Sequence, residues 1–145
     1  MNTAKEIINE LLVEVFNHIL SIEAEALHKR GVRLSMNEIH VLEAIEKTEE
    51  PTMSNLARRL RVTVGTLTTA MNRLVDKGYT TRYRVPEDKR KVYISLTHKA
   101  HDVLKIHNEF HEEMINDAIK DMKLEEDEVL LQSLQNISEY FKKKY

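Results

Sequence analysis

The sequence predicts a mainly α chain with a single small β-hairpin, and three observations lead there. Apolar residues recur at intervals of three and four along most of the 145 residues, which is the helical period. One stretch, Tyr79 to Leu96, changes to β-branched and aromatic residues on either side of a turn containing proline and aspartate. Of the three glycines and two prolines, all but Gly65 fall between the periodic segments.

Taken in order, Ile7, Ile8, Leu11, Leu12, Val15, Phe16, Ile19, Leu20, Ile22, Ala26 and Leu27 give one long amphipathic helix over 4–30, which Gly31 ends. Ser35 and Glu38 have the spacing of a capping box and predict a second, short helix from Met36 to Lys47, closed by Glu49-Glu50-Pro51. Thr52 can cap a third helix, Met53 to Leu60. Thr63 can cap a fourth reaching Lys77, with Gly78 placed to take a positive φ. Only Arg61 and Val62 separate these two helices. Tyr79 to Val85 and Val92 to Leu96 predict the two strands of the hairpin, with 86–91 as an exposed, charged tip. From Thr97, Ala100, Leu104, His107, His111, Met114, Ala118 and Met122 repeat helically, and a last helix from about Glu125 carries Leu130, Leu134, Ile137 and Phe141.

Composition narrows the function. The chain has no cysteine, which excludes disulfides, thiolate metal clusters and thiol redox switches and agrees with a cytoplasmic home. The start of the chain has neither a basic leader nor an apolar stretch, and no run is long enough to span a bilayer, so neither secretion nor membrane insertion is expected. No phosphate loop, nucleophile elbow or His-Glu-x-x-His is present, so no enzyme is expected.

Charge is informative once divided by position. Residues 52–99 hold 11 Lys and Arg against three acids, a net of +8, while the rest of the chain carries −10. A basic middle between acidic arms suits a polyanion-binding module, because each phosphate neutralised releases counterions. A basic but merely solvated face is the alternative.

Helix, short turn, helix and hairpin is the order of a winged helix-turn-helix, whose second helix enters the major groove while the hairpin reaches the flanking backbone or minor groove. The fourth helix presents Thr63, Thr66, Thr68, Thr69, Asn72 and Arg73 within eleven residues. Threonine methyls meet thymine methyls, asparagine pairs with adenine, and arginine forks onto guanine or phosphate. Gly65 lets the backbone come close. These six residues, with Ser54, Arg82, Asp88, Lys89 and Arg90, are the expected DNA contacts. The terminal helices, roughly 26 residues and about 40 Å each at the α-helical rise, carry more apolar surface than so small a chain can cover. Segments 1–33 and 100–145 are therefore expected to pair two copies around the DNA-binding part, 34–99.

Leu56-Ala57-Arg58-Arg59-Leu60, Thr63 to Leu74, Lys77-Gly78-Tyr79, Arg82, Asp88-Lys89-Arg90 and Leu96-Thr97 together resemble the signatures of the MarR family of transcriptional regulators, over essentially the whole chain. The resemblance implies a homodimeric repressor on a pseudo-palindromic operator, with Arg90 as the wing arginine and Asp88 orienting it. The sequence departs from the family pattern at Ala100 and at Gly65. Phe16-Asn17, Glu38-Ile39-His40, 62–69 and 107–111 further resemble the fatty-acid-biosynthesis repressors of this family. That implies control of membrane-lipid synthesis genes and modulation by long-chain acyl-acyl carrier protein. The acyl chain would lodge near Leu12, Val15, Phe16, Ile19, His40, Leu104, His107 and His111. The alternative is a repressor of the same family that answers a small aromatic molecule or zinc.

The histidines invite that zinc reading, since His107 and His111 share a helix face and His40 with Glu23 could converge on them. Their place in an apolar stripe favours a neutral histidine with one hydrogen-bond partner, and no metal is expected.

Overall fold

The structure, a computed structural model, describes residues 2–145. Met1, the first residue of the expected 1–33 arm, lies outside the described residues. The chain divides into two compact units, the first ending at Phe110 and the second running from His111 to Tyr145.

The first unit opens with α1 (Ala4–Asn9), a π-helical stretch (Glu10–Val15) and α2 (Phe16–Lys29). Thr3 and Glu6 form a capping box at its start. The expected single α-helix is thus interrupted without being broken. The wider π turn takes one extra residue and re-phases the apolar stripe between Ile8 and Phe16. Gly31 ends the arm with φ +89°.

The helices that follow begin at the predicted caps. In α3 (Met36–Lys47) the Ser35 hydroxyl accepts from Glu38 N–H at 3.2 Å, and a Glu38 carboxylate oxygen accepts from Ser35 N–H at 3.1 Å. Thr52 caps α4 (Met53–Leu60) by accepting from Asn55 N–H at 3.1 Å, and Thr63 caps α5 (Val64–Asp76) by accepting from Thr66 N–H at 3.1 Å. The α4–α5 turn is made by Arg61 in the left-handed region at φ +56°. Gly78 at φ +81° turns the chain from α5 into β1 (Thr80–Val85).

β1 pairs antiparallel with β2 (Asp88–Leu96), from Thr80 opposite Leu96 to Val85 opposite Asp88, with a bulge between Tyr83 and Val85. The second strand therefore starts four residues before the predicted Val92, with Asp88 paired to Val85 and 89–92 in the irregular stretch of the ladder. The bulge absorbs the mismatch and leaves Pro86-Glu87 as the turn. Tyr83 and Tyr93, directly opposite, stack with centroids 5.4 Å apart. The hairpin is rooted by a bridge between Thr52 and Tyr93 and by Ile94 N–H donating to Pro51 O at 2.9 Å.

One apolar core holds these elements. Leu27 of α2, Ile39 and Leu42 of α3, Leu56 of α4, Leu67, Met71 and Leu74 of α5, Ile94 of β2, and Ala100 and Leu104 of α6 (His98–Ile119) are all essentially inaccessible to solvent. The second unit continues α6, takes a 3-10 turn at Leu124–Glu126 and ends in α7 (Glu128–Lys144), capped by Asp127 accepting from Leu130 N–H at 3.0 Å. That cap sets the start of α7 three residues later than Glu125. No residue of α7 is buried in the single chain. Among the described residues, no helix is long and apolar enough to cross a membrane.

Candidate nucleic-acid interface

The caps and the core together orient α5. With Leu67, Met71 and Leu74 buried, the remaining residues of the helix are pushed outward, and Thr63, Thr66, Thr68, Thr69, Asn72 and Arg73 are all exposed. The structure distributes five of them, all but Thr63, over two flanks. Thr68 and Asn72, with Ser54, face the hairpin across a groove of about 850 Å³ whose far wall includes Arg82, Arg84, Arg90 and Lys91. Thr66, Thr69 and Arg73 line a second groove, of about 780 Å³, toward α3.

Several hydroxyls are engaged within the helix itself. Thr63 donates to Thr66 Oγ1 at 2.9 Å, Thr68 to Val64 O at 2.8 Å and Thr69 to Gly65 O at 3.3 Å. Each of these donors is occupied, so the outward chemistry of the three residues is a methyl group and acceptor lone pairs. Asn72 is also partnered. Arg82 Nη2 donates to Asn72 Oδ1, tying β1 to α5. The amide oxygen that would accept from adenine is thereby engaged on one of its two lone pairs in the free protein.

At the hairpin tip Asp88 Oδ1 accepts from Arg90 N–H at 3.1 Å and from Arg90 Nε at 3.2 Å. The Arg90 side chain stays 93% exposed while its root is held. Arg84 donates to Lys89 O across the turn, and Lys89 stays exposed. Arg84, Lys91 and Asn55 join the wall of the groove without having been singled out from the sequence. Arg82 and Arg84 are two apart on one strand and so share a face, which is the signal that would have found Arg84.

The C-terminal end of α5 is fastened to α3. Lys77 Nζ reaches Glu38 Oε2 at 2.9 Å, and Lys99 Nζ donates to Lys77 O at 2.9 Å. Burial alone would raise the Glu38 carboxyl, but hydrogen bonds from Lys77 and from Ser35 N–H, the Lys77 charge and the Ser35 hydroxyl outweigh it and hold the pKa below its ordinary value.

The residues expected around an acyl chain are less well gathered. Leu12 and Phe16 are exposed, Val15 and Ile19 half-buried, and Leu104 and His107 buried. His40 lines the groove beside Thr66 and Arg73 instead, because buried Ile39 and Leu42 turn it toward α5. His107 has two carboxylate neighbours where one partner is expected. Nε2 is 2.5 Å from Glu23 Oε1 and Nδ1 is 3.2 Å from Glu43 Oε1, with the His107 and Glu23 side chains each 3% exposed. Glu23 of α2, Glu43 of α3 and His107 of α6 thus stand side by side and link the three elements. His111, the first residue of the second unit, is half-buried.

A two-stranded wing bearing arginines, set against an exposed threonine-rich helix that is second in a capped helix pair, defines a winged helix-turn-helix protein. Residues 34–92 match the model of the MarR family. The fold matches Streptococcus pneumoniae FabT in complex with DNA at a TM-score of 0.83 and 35% identity, over 97% of this chain and 99% of that one. It also matches a mutant of E. coli MarR complexed with operator DNA, at a TM-score of 0.69 and 25% identity over 94% and 99% of the two chains. The chain is 32% identical over 96 residues to the HTH-type transcriptional regulator SarZ of Staphylococcus epidermidis, a match spanning 66% of this chain and 64% of that protein. The chain belongs to the MarR family of winged-helix transcriptional regulators.

Proposed function

We infer that the chain is a cytoplasmic, homodimeric repressor that binds a pseudo-palindromic operator in duplex DNA. In this reading it governs fatty-acid and membrane-lipid synthesis genes and is modulated by a long-chain acyl group carried on acyl carrier protein. One observation carries the DNA reading: Arg82, Arg84, Arg90 and Lys91 stand along one wall of a groove whose other wall includes Thr68 and Asn72 of the recognition helix. Cations placed beside groups able to read base edges are what duplex recognition requires. In this reading Ser54, Thr63, Thr66, Thr68, Thr69, Asn72 and Arg73 address the major groove. Arg82, Lys89 and Arg90, the last held by Asp88, address the backbone and minor groove.

The homodimer is supported in each unit separately. Ile7, Leu11, Leu12 and Phe16 of the first arm are exposed, as are Val129, Leu131, Leu134 and Phe141 of the second unit. Exposed apolar side chains in such number support an interface. The lipid assignment rests on the residue resemblance to the fatty-acid-biosynthesis repressors and on the apolar breadth of the first arm.

Titration of the purified protein against duplex in a potassium chloride series tests the DNA reading, which requires affinity to fall steeply with salt. Adding saturating acyl-loaded carrier protein tests the lipid assignment. An effector acts only through unequal affinity for two states of the repressor, so operator affinity must change. No change removes the lipid role and leaves the repressor.

A further inference from the structure

Leu67, Met71 and Leu74 fix the inward direction of α5. With about 100° between successive residues, the direction opposite to them falls within about 30° of both Gly65 and Thr69. These two exposed residues, one turn apart, are the crest of the helix.

The crest is bare where the fold does not ask it to be. Gly65 sits in the first turn of α5 with no positive φ, and a Cβ added there would meet only Thr63 Oγ1, at 3.9 Å. Glycine is the poorest helix former after proline, so such a position favours alanine on folding grounds alone. Thr69 turns its hydroxyl down onto the carbonyl of Gly65, at 3.3 Å. With its single donor occupied, it offers outward a methyl group and acceptor lone pairs. Neither crest residue presents a free side-chain donor.

We propose that Gly65 and Thr69 are the point of closest approach to DNA and a specificity-determining pair, seated on the methyl edge of a thymine in the major groove. The inference rests on the DNA-binding reading above. Guanine displays two acceptors, N7 and O6, in that groove and calls for donors, which this crest lacks. Thymine displays its C5-methyl group, which packs against the methyl of Thr69. A methyl at position 65 would stand about 1.5 Å above the backbone, the length of a carbon–carbon bond, and hold the duplex off.

The test uses the intact protein and duplexes it selects from a randomised library, measured with Gly65→Ala, Thr69→Ser and deoxyuridine-for-thymine duplexes. Without DNA, Gly65→Ala melts at an unchanged or higher temperature, by up to about 4 °C. On the selected duplex it binds at least about tenfold more weakly. Removing the thymine methyl weakens the native protein severalfold and leaves Thr69→Ser unaffected. Native-like affinity of Gly65→Ala, within twofold, overturns the proposal, as does a lowered melting temperature, which would make Gly65 a requirement of the fold. A native protein indifferent to deoxyuridine overturns the thymine assignment. If the native protein selects no duplex at all, the DNA-binding reading itself fails and this inference with it.

Discussion

Replacing Arg90 by alanine should separate what the wing does for binding from what it does for folding. The side chain is 93% exposed and meets Asp88 across a 3.2 Å contact, so its removal leaves the core untouched. Stability should stay within about 0.5 kcal/mol, as for other surface substitutions. Each phosphate neutralised contributes about 0.9 to the slope of log affinity against log salt. Two wings in the proposed dimer contribute about 1.8, equivalent to about sixtyfold, or about 2.4 kcal/mol, between 1 M and 0.1 M salt. Fluorescence anisotropy over a potassium chloride series, on the selected operator and on a scrambled duplex, should show both affinities reduced and the slope shallower by nearly two. An unchanged slope, or a loss confined to the operator, would refute the assignment of Arg90 to the sugar-phosphate path.

Three further outcomes follow from the same geometry. Leu56→Ala, at a fully buried position of α4, should destabilise the first unit by about 2–5 kcal/mol in chemical denaturation, through lost burial and the cavity left behind. Glu38→Gln should flatten the acid limb of stability. A carboxyl whose folded pKa is depressed stabilises fully above its unfolded value of about 4.5 and loses that contribution as pH falls through the folded value, so native and variant curves should converge only once the pH is below that depressed value. Asn72→Ala and Arg82→Ala should be non-additive in operator affinity, because each removes the same tie between recognition helix and wing. Simple additivity in the double mutant would show the tie to be irrelevant to binding.

The elements set by neighbours in the chain were legible before the structure. Ser35 with Glu38, Thr52 and Thr63 cap the helices they were expected to cap, and Gly31 and Gly78 take positive φ where helices end. These are interactions across three or four residues, and the pattern encodes them directly. Differences arose where register or distant contacts decide. An irregularity at the hairpin moved the start of β2 from Val92 to Asp88, and a π turn re-phased the first arm, each through extra residues that periodicity does not announce. The candidate site behaved alike. Residue types and charge placement pointed to α5 and the hairpin, while the Arg82–Asn72 tie, the turn of His40 toward α5 and the placing of Glu23 and Glu43 beside His107 all depend on packing between separate elements.

The way the wing is fixed has a consequence for how such a protein can change. Its foot is stitched to the body through Thr52, Tyr93 and the Pro51 carbonyl, whereas Pro86, Glu87, Lys89 and Arg90 beyond it stand open to water. In the DNA-binding reading proposed above, amino-acid replacements beyond that seam would raise or lower grip on DNA with little penalty in folding. Those at the seam are felt throughout the body. Selection can therefore retune the outer loop toward a new target while the scaffold beneath it drifts under separate constraints.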